Sequence, residues 1–304
     1  MRVLLIVNTA ASSVTARGQV VIQQALSAEH DVRVAETSRR GHASRLARSA
    51  PNEGADVVVV LGGDGTLNEA ANGLLGTDCA LAVLPGGSTN VFARTIGMPN
   101  DPVAGVDVLL RALERGSIGP VGIGTANGRA FLFHTGLGFD AAVVAEVERH
   151  PGLKRWAGHP LFALAAVDTW LRRYDRHRPH FAVHLPDGTV DDDGYFTIVL
   201  NTDPYTYLGN RPFTVAPDAG LDRPLVAVTV RTLALRPLLR VAGAALRRDG
   251  DVAGDPAVDY RAGLEGLRVV GHRPFPYQLD GDHLGAVDEV VFHHVPDGLR
   301  LVMP

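Results

Sequence analysis

The chain has 304 residues, 46% hydrophobic and 20% charged, with a formal net charge of −4 and a pI near 6.3. That length suffices for two domains with separate cores. The acidic balance speaks against a protein built around nucleic-acid phosphates, so no nucleic-acid partner is expected.

The single cysteine, Cys79, excludes a disulfide framework or a cysteine-based metal site within one chain. It precedes an apolar run and reads as a buried, inert thiol. The start "MRVLLIVNTAASS" has an apolar core of only Val3–Val7. That is shorter than a signal-peptide core of about 7–15 residues, so a first buried strand is expected. No apolar run approaches the roughly 18–20 residues of a membrane span. The expectation is a cytoplasmic protein with peripheral membrane association and no integral segment.

The first third alternates two patterns. Arg2–Val7, Asp31–Glu36, Asp56–Leu61 and Ala80–Leu84 read as strands. Val14–Ala28, Gly41–Ser49, Leu67–Leu75 and Val106–Arg115 read as helices. Apolar runs separated by helices predict a parallel sheet covered on both faces. Near Ser117–Pro120 the grammar changes. "VGIGTANGRAFLF" alternates, and Asn127-Gly128 predicts a type I′ hairpin turn. Further strands are predicted at Phe181–Leu185, Tyr195–Leu200, Phe213–Ala216, Leu225–Thr232, Leu267–Gly271, Pro276–Asp280 and Val287–His294. They suggest a β-rich sandwich or barrel-like domain with helical insertions near 141–175 and 235–248. The predicted fold class is therefore an α/β, Rossmann-like N-terminal domain over 1–118, and a β-rich domain over 119–295.

"LGGDGTLNEAANG" at Leu61–Gly73 follows a valine-rich strand. Leu67, Ala70, Ala71, Leu74 and Leu75 then fall on one helical face. Thr66 and Glu69 have the spacing of a capping box, and Gly76 that of a C-terminal stop. A glycine loop leading into a helix N-terminus can aim several N–H groups at phosphate, aided by the helix dipole. Glycine permits close approach of the anion. Asp64 would repel phosphate directly, but can hold Mg²⁺, usually through water. A structural turn with a capping acid is the competing reading. "LAVLPGGSTNVFAR" at Leu81–Arg94 repeats the strand, glycine loop and helix start. Two such loops on neighbouring strands would face one crevice at the carboxyl edge of the sheet. Neither matches the Walker A or dinucleotide fingerprint.

Together, "GGDGTLNEAANG" and "PGGSTNVFAR" resemble the diacylglycerol kinase catalytic-domain family. "FHTGLGFDAAVV", "FTVAPDAGLD" and "QLDGDHLG" are similar, in order, to that family's later segments. The resemblance implies an ATP-dependent kinase acting on a lipid hydroxyl, most simply converting diacylglycerol to phosphatidic acid. It implies an α/β nucleotide domain, a β-rich domain, an active site between them, and return of 296–304 to the first domain. By motif match the ATP-binding residues would be Asn8, Thr37, Gly62, Gly63, Asp64, Gly65, Thr66, Asn68, Glu69, Gly86, Gly87, Ser88, Thr89 and Asn90. Asp280 matches the first acid of the family's D-G-E, as candidate general base. Asp282 replaces the glutamate and is a second candidate, and Asp64 completes the catalytic acids. Read alone, "DGD" is an exposed turn. Asp140 in "GFDA" reads equally as a helix N-cap or as part of the Mg²⁺ network.

The chain departs from the family pattern at three places. "NTAAS" lacks the expected proline and glycine. Val91 stands where an acid is common. "LDRPL" keeps Asp222 but loses a second acid and a glycine, which puts a structural Mg²⁺ site there in doubt.

"HPLFALAAVDTWLRRY" at His159–Tyr174 and "LALRPLLRVAGAALRRDG" at Leu233–Gly250 are apolar helical stretches with arginines, among them Arg236, Arg240, Arg247 and Arg248. Either can be a packed helix or can lie on an anionic membrane surface and admit lipid. "DDD" at Asp191–Asp193 reads as a solvated hairpin, and His293 and His294 as structural. The partners expected are a lipid at a membrane surface and, as an open alternative, a second copy of the chain. A relative of the NAD kinases is a competing enzyme reading, and a nucleotide- or lipid-binding module without catalysis is a reading from another class.

Overall fold

The computed structural model describes residues 1–149, 162, 164–247 and 250–304. Arg248 and the first residues of the His159–Tyr174 stretch lie outside that set. The chain divides into two compact units, Met1–Ile123 with Pro296–Pro304, and Gly124–Val295.

Unit 1 is built from β1 (Arg2–Val7), α1 (Ala16–Ser27), β2 (Asp31–Glu36), α2 (His42–Ser49), β3 (Val57–Gly62), α3 (Asp64–Leu74), β4 (Ala80–Pro85), α4 (Val91–Thr95) and α5 (Pro102–Glu114). Its sheet is parallel, in the order β2-β1-β3-β4. The chain end adds to it, with Leu301 pairing Leu81 in parallel. Every residue of β3 and β4 is buried, so both faces of these strands are covered. That is why they read as continuous apolar runs rather than as alternating ones. Helices α2 and α3 pack together, as do α1 and α5. Cys79 is a buried free thiol, pushed up to about 11 by burial, which suits an inert packing role.

Unit 2 carries an antiparallel sheet. Its strands include β7 (His134–Gly138), β8 (Phe181–His184), β9 (Val190–Gly194), β10 (Phe196–Leu200), β13 (Leu225–Val230), β14 (Val258–Leu264), β15 (Gly266–Leu279) and the first part of β16 (Asp282–Val302). Alternate residues of β10 enter two different cores. Val199 joins the cluster of Phe131, Phe181, Phe275 and Phe292, whereas Ile198 and Leu200 join Val215, Val226 and Val258. This is the period-two logic of a strand buried on both faces. Helix α6 (Phe139–Glu148) follows β7. Helix α7 (Leu235–Ala245) covers the second core with Leu238, Val241 and Ala245.

Local turn chemistry holds where it was legible. Strands β5 (Ile118–Ala126) and β6 (Arg129–Phe131) flank Asn127 and Gly128, whose φ values are 49° and 79°. Two successive positive φ angles are the signature of the I′ turn. Two readings are corrected. Phe213–Ala216 is not one strand: a short hairpin of β11 (Thr206–Leu208) and β12 (Arg211–Phe213) ends at Phe213. Asp191 is not a solvated hairpin acid; it is buried and bonds Arg231 Nε at 2.8 Å.

Candidate active site

In a parallel sheet all strands end on the same edge. Asn8 follows β1, Thr37 follows β2, Gly62–Thr66 close β3 and open α3, and Gly86–Asn90 follow β4. The nucleotide residues expected from the motifs therefore share the carboxyl edge. Strand order 2-1-3-4 reverses direction between β1 and β3, the position where open α/β sheets bind ligands. The loops there are tied together. Asn8 N donates to Leu61 O at 2.9 Å, and Asn8 Nδ2 donates to Thr66 Oγ1 at 2.8 Å. Just after "NTAAS", Ser13 ties this loop to the second glycine loop: Ser13 N donates to Gly86 O at 2.9 Å and Ser13 Oγ to Gly87 O at 3.0 Å.

The glycines have a cause that the sequence did not reveal. A Cβ on Gly86 would lie 2.8 Å from Gly62 Cα, and one on Gly87 would lie 2.9 Å from Gly63 Cα. The two loops pack backbone against backbone, and a side chain on either would part them. Asn90 locks the second loop from within. Its φ is 49°, its Oδ1 accepts from Gly87 N at 2.7 Å, and its Nδ2 donates to Gly87 O and Asn100 Oδ1. Ser88 is exposed and Thr89 half-buried at the tip, where they are available to a ligand.

Several assignments near the first loop are corrected. The helix begins at Asp64, with Gly63 as N-cap and no side-chain capping bond, so Thr66 and Glu69 do not form a capping box. Glu69 instead accepts from Gly41 N at 2.7 Å and Ala43 N at 3.2 Å, capping α2. Asn68 is buried and accepts from Asn72 Nδ2. These bonds engage Asn68 and Glu69 in helix packing. Gly76 does sit just beyond the helix end, with φ 71°.

Asp64 carries two loads. Its Oδ2 accepts from Val91 N at 3.0 Å and its Oδ1 from Phe92 N at 3.2 Å, so it caps α4 and joins the two glycine loops. Burial pushes its carboxyl up, and the two N–H donors oppose that shift. Each carboxylate oxygen retains a lone-pair direction, so the residue fits an Mg²⁺ ion held through water. Asp222 sits in a different setting. It is exposed, its ionic neighbour is Arg223 at 4.0 Å, and no metal-binding group of three His, Cys, Asp or Glu residues occurs among the described residues. A cavity of about 240 Å³ lies behind the N-terminal loop, bounded by Val14, Leu61, Asn100 and Pro102 among others. None of the expected nucleotide residues lines it.

In unit 2 the D-G-D segment is a two-residue hairpin. Leu279 pairs Asp282, and Asp280 and Gly281 have φ 47° and 81°. Yet Asp280 is only 5% exposed. Its carboxylate turns inward and accepts from Leu132 N at 2.7 Å, Phe133 N at 3.0 Å and His134 N at 3.2 Å. The exposed-turn reading of its side chain is thus corrected: the turn anchors the backbone that leads into β7. Asp282 starts β16 and is half-buried.

Asp140 is not an N-cap. Gly138 holds that position, and Asp140 lies in the first turn of α6. Its Oδ1 accepts from Tyr205 Oη at 2.6 Å and its Oδ2 from Gln278 Nε2 at 2.9 Å. Gln278 Oε1 in turn accepts from Gly281 N at 2.8 Å, so one side chain joins Asp140 to the D-G-D turn. A Cβ on Gly136 would collide with Asp140, which explains the second glycine-dependent contact in this motif. Burial raises both Asp140 and Tyr205. His134 packs on Tyr205 with ring centroids 4.2 Å apart, and burial pushes it down to about 3. Tyr205, Gln278 and His134 were missed in the sequence. Gln278 stands inside a recognised segment, but only the tertiary contact marks it.

This linkage makes stability sensitive to pH in one variant. Gln278→Glu would set a second carboxylate against Asp140, and the two would share a proton. The folded pair then holds that proton more tightly than the unfolded chain. Stability is therefore retained at low pH and lost as pH rises through the pair's raised folded value. The loss is about 1.4 kcal/mol for each pH unit that separates the folded value from the unfolded one. Thermal melting from mildly acidic to alkaline pH checks this, and a pH-independent difference from wild type would refute it.

Parallel strands with paired glycine loops at one edge define unit 1 as an open α/β domain. Residues 2–126 match the family model described as the diacylglycerol kinase catalytic domain. This agrees with the resemblance that the motifs carry. The chain is 34% identical over 115 residues to the diacylglycerol kinase of Bacillus subtilis (strain 168), covering 37% of each chain. It is 32% identical over 169 residues to a protein of Pseudomonas aeruginosa (strain UCBPP-PA14) named as a probable YegS-like lipid kinase, covering 55% of this chain and 53% of that one. The matched segments thus span between about a third and a half of these relatives' lengths. The fold extends further. A solved diacylglycerol kinase structure from Bacillus anthracis str. Sterne aligns with TM-score 0.73 at 20% identity, over 100% of this chain and 97% of that one. Another structure from that organism reaches 0.78 at 22% identity over the same coverage.

Proposed function

We propose that this chain is an ATP-dependent lipid kinase that phosphorylates the hydroxyl of diacylglycerol. One observation carries the reading most: Asn8, Thr37, Gly62–Thr66 and Gly86–Asn90 gather on one sheet edge, inside the segment that matches the kinase domain. Phosphoryl transfer requires phosphate alignment, charge neutralisation and a group to take the alcohol proton. The glycine loops and the N-terminus of α3 supply donors for the phosphates. Asp64 would hold Mg²⁺ through water, and the ion would neutralise charge on the nucleotide. Asp280 or Asp282 would accept the proton, with Asp140 holding the turn through Gln278. Asp282 is the better placed of the two to approach a substrate, because three N–H groups occupy Asp280.

A different lipid alcohol is the second reading, favoured by the relatives named only as lipid kinases. The departures "NTAAS" and "LDRPL", with Asp222 exposed, support the third, a binding module without catalysis. Transfer of labelled phosphate from ATP to a panel of diacylglycerol, sphingoid and phospholipid acceptors separates the three. We expect label in phosphatidic acid, dependent on Mg²⁺. Nucleotide binding without transfer to any acceptor would refute the enzyme reading.

A further inference from the structure

No helix among the described residues is long and apolar enough to cross a membrane. Yet exposed large apolar side chains are concentrated on two stretches of unit 2. On the helical stretch 164–173, Leu164, Val167 and Leu171 are 68%, 55% and 54% exposed. On α7, Leu235 and Leu239 are 52% and 62% exposed. Neither stretch is simply unpacked. In the first, Ala165 packs with Val143 and Val147, and Thr169 is buried. In α7, Leu238, Val241 and Ala245 face the core. Each element therefore has an inner apolar face that is satisfied and an outer one that is not. A lone exposed leucine is ordinary, but two adjoining stripes are not.

The stretches are joined. Trp170 Nε1 donates to Leu233 O at 2.8 Å, setting the indole beside the residues that open α7. Arg176 lies over the Trp170 ring, 4.1 Å from its centroid. Arg236 is exposed beside the leucines, as is Arg172, which pairs with Asp168 at 3.4 Å. Apolar side chains bordered by guanidinium groups, with an indole among them, match the headgroup region of an anionic bilayer. A second copy of the chain fits less well. A two-fold contact sets each patch against itself, which brings two arginine-bordered faces of like charge together.

We propose that the outer faces of 164–171 and α7 form one docking surface for an anionic lipid bilayer. This deepens the lipid-kinase reading and rests on it for the reason that a membrane is approached, so binding and transfer are tested apart. The binding test uses the full chain without nucleotide, sedimented with vesicles of phosphatidylcholine alone or mixed equally with phosphatidylglycerol. Binding to the anionic vesicles is expected, weakening as salt rises. The triple variant Leu171→Ser/Leu235→Ser/Leu239→Ser is expected to lower the bound fraction at least about tenfold with an unchanged melting temperature. Val20→Ser/Val21→Ser, an exposed apolar pair on α1, serves as the control and is expected to change nothing. The proposal is overturned if wild type ignores anionic vesicles, or if the triple variant binds them as wild type does. It is also overturned if these leucines instead hold a dimer that the triple variant dissociates in lipid-free solution. Transfer to detergent-dispersed diacylglycerol is read separately. Its absence refutes the kinase reading and leaves a measured docking surface standing.

Discussion

Gly86→Ala is expected to lower nucleotide affinity by about tenfold or more and to destabilise unit 1 by about 1–3 kcal/mol, the usual range for overpacking. The added Cβ would fall 2.8 Å from Gly62 Cα, 2.9 Å from Gly62 N and 2.8 Å from Val14 Cγ2. Two of those atoms are backbone, so no rotamer change relieves the contact. The bonds from Gly86 N to Gly62 O at 2.7 Å and from Ser13 N to Gly86 O at 2.9 Å must open. Donors at the tips of both loops then move relative to one another, and phosphate alignment tolerates little displacement. Calorimetric titration with ATP and Mg²⁺, beside a thermal melt, measures both effects. Wild-type affinity in a destabilised variant would show that the glycines serve only loop packing.

Asp280→Asn is expected to cost about 2–4 kcal/mol of stability and to abolish transfer while ATP binding in unit 1 persists. The asparagine oxygen can still serve Phe133 and His134. Its amide nitrogen, however, would face the N–H of Leu132, a donor against a donor in a buried place. The loss of transfer alone therefore cannot assign Asp280 as the base. Asp282→Asn supplies the separation, because Asp282 is half-buried on a strand start. If transfer falls in Asp282→Asn with an unchanged melting temperature, Asp282 takes the proton. A fully active, fully stable Asp280→Asn would remove both the anchoring and the catalytic role.

The errors in the sequence reading share one physical origin. Thr66 and Glu69 look like a capping box because spacing records which groups can meet within one helix. It does not record that α2 lies beside α3 and offers the N–H groups of Gly41 and Ala43. Asp140 looks like an N-cap for the same reason, and the competition of Tyr205 and Gln278 for its oxygens becomes visible only in three dimensions. Anion approach was the reason read for the glycines, and the close packing of Gly86 and Gly87 on Gly62 and Gly63 is a second reason that spacing does not record.

Features that depend on neighbours in the chain were legible. The valine runs announced strands covered on both faces, because every position of a doubly buried strand must be apolar. Asn127-Gly128 announced its turn, because these residues tolerate two successive positive φ angles. The ordered glycine motifs announced the likeness to the kinase domain and, through the common direction of parallel strands, the edge on which the loops gather. The sequence could not determine where each carboxylate spends its hydrogen bonds. Asp64 joins two loops, Glu69 caps a neighbouring helix, and Asp280 holds three N–H groups contributed from nearly 150 residues away. Those partners are chosen by packing, since a buried donor must be satisfied by whichever acceptor the fold brings within reach.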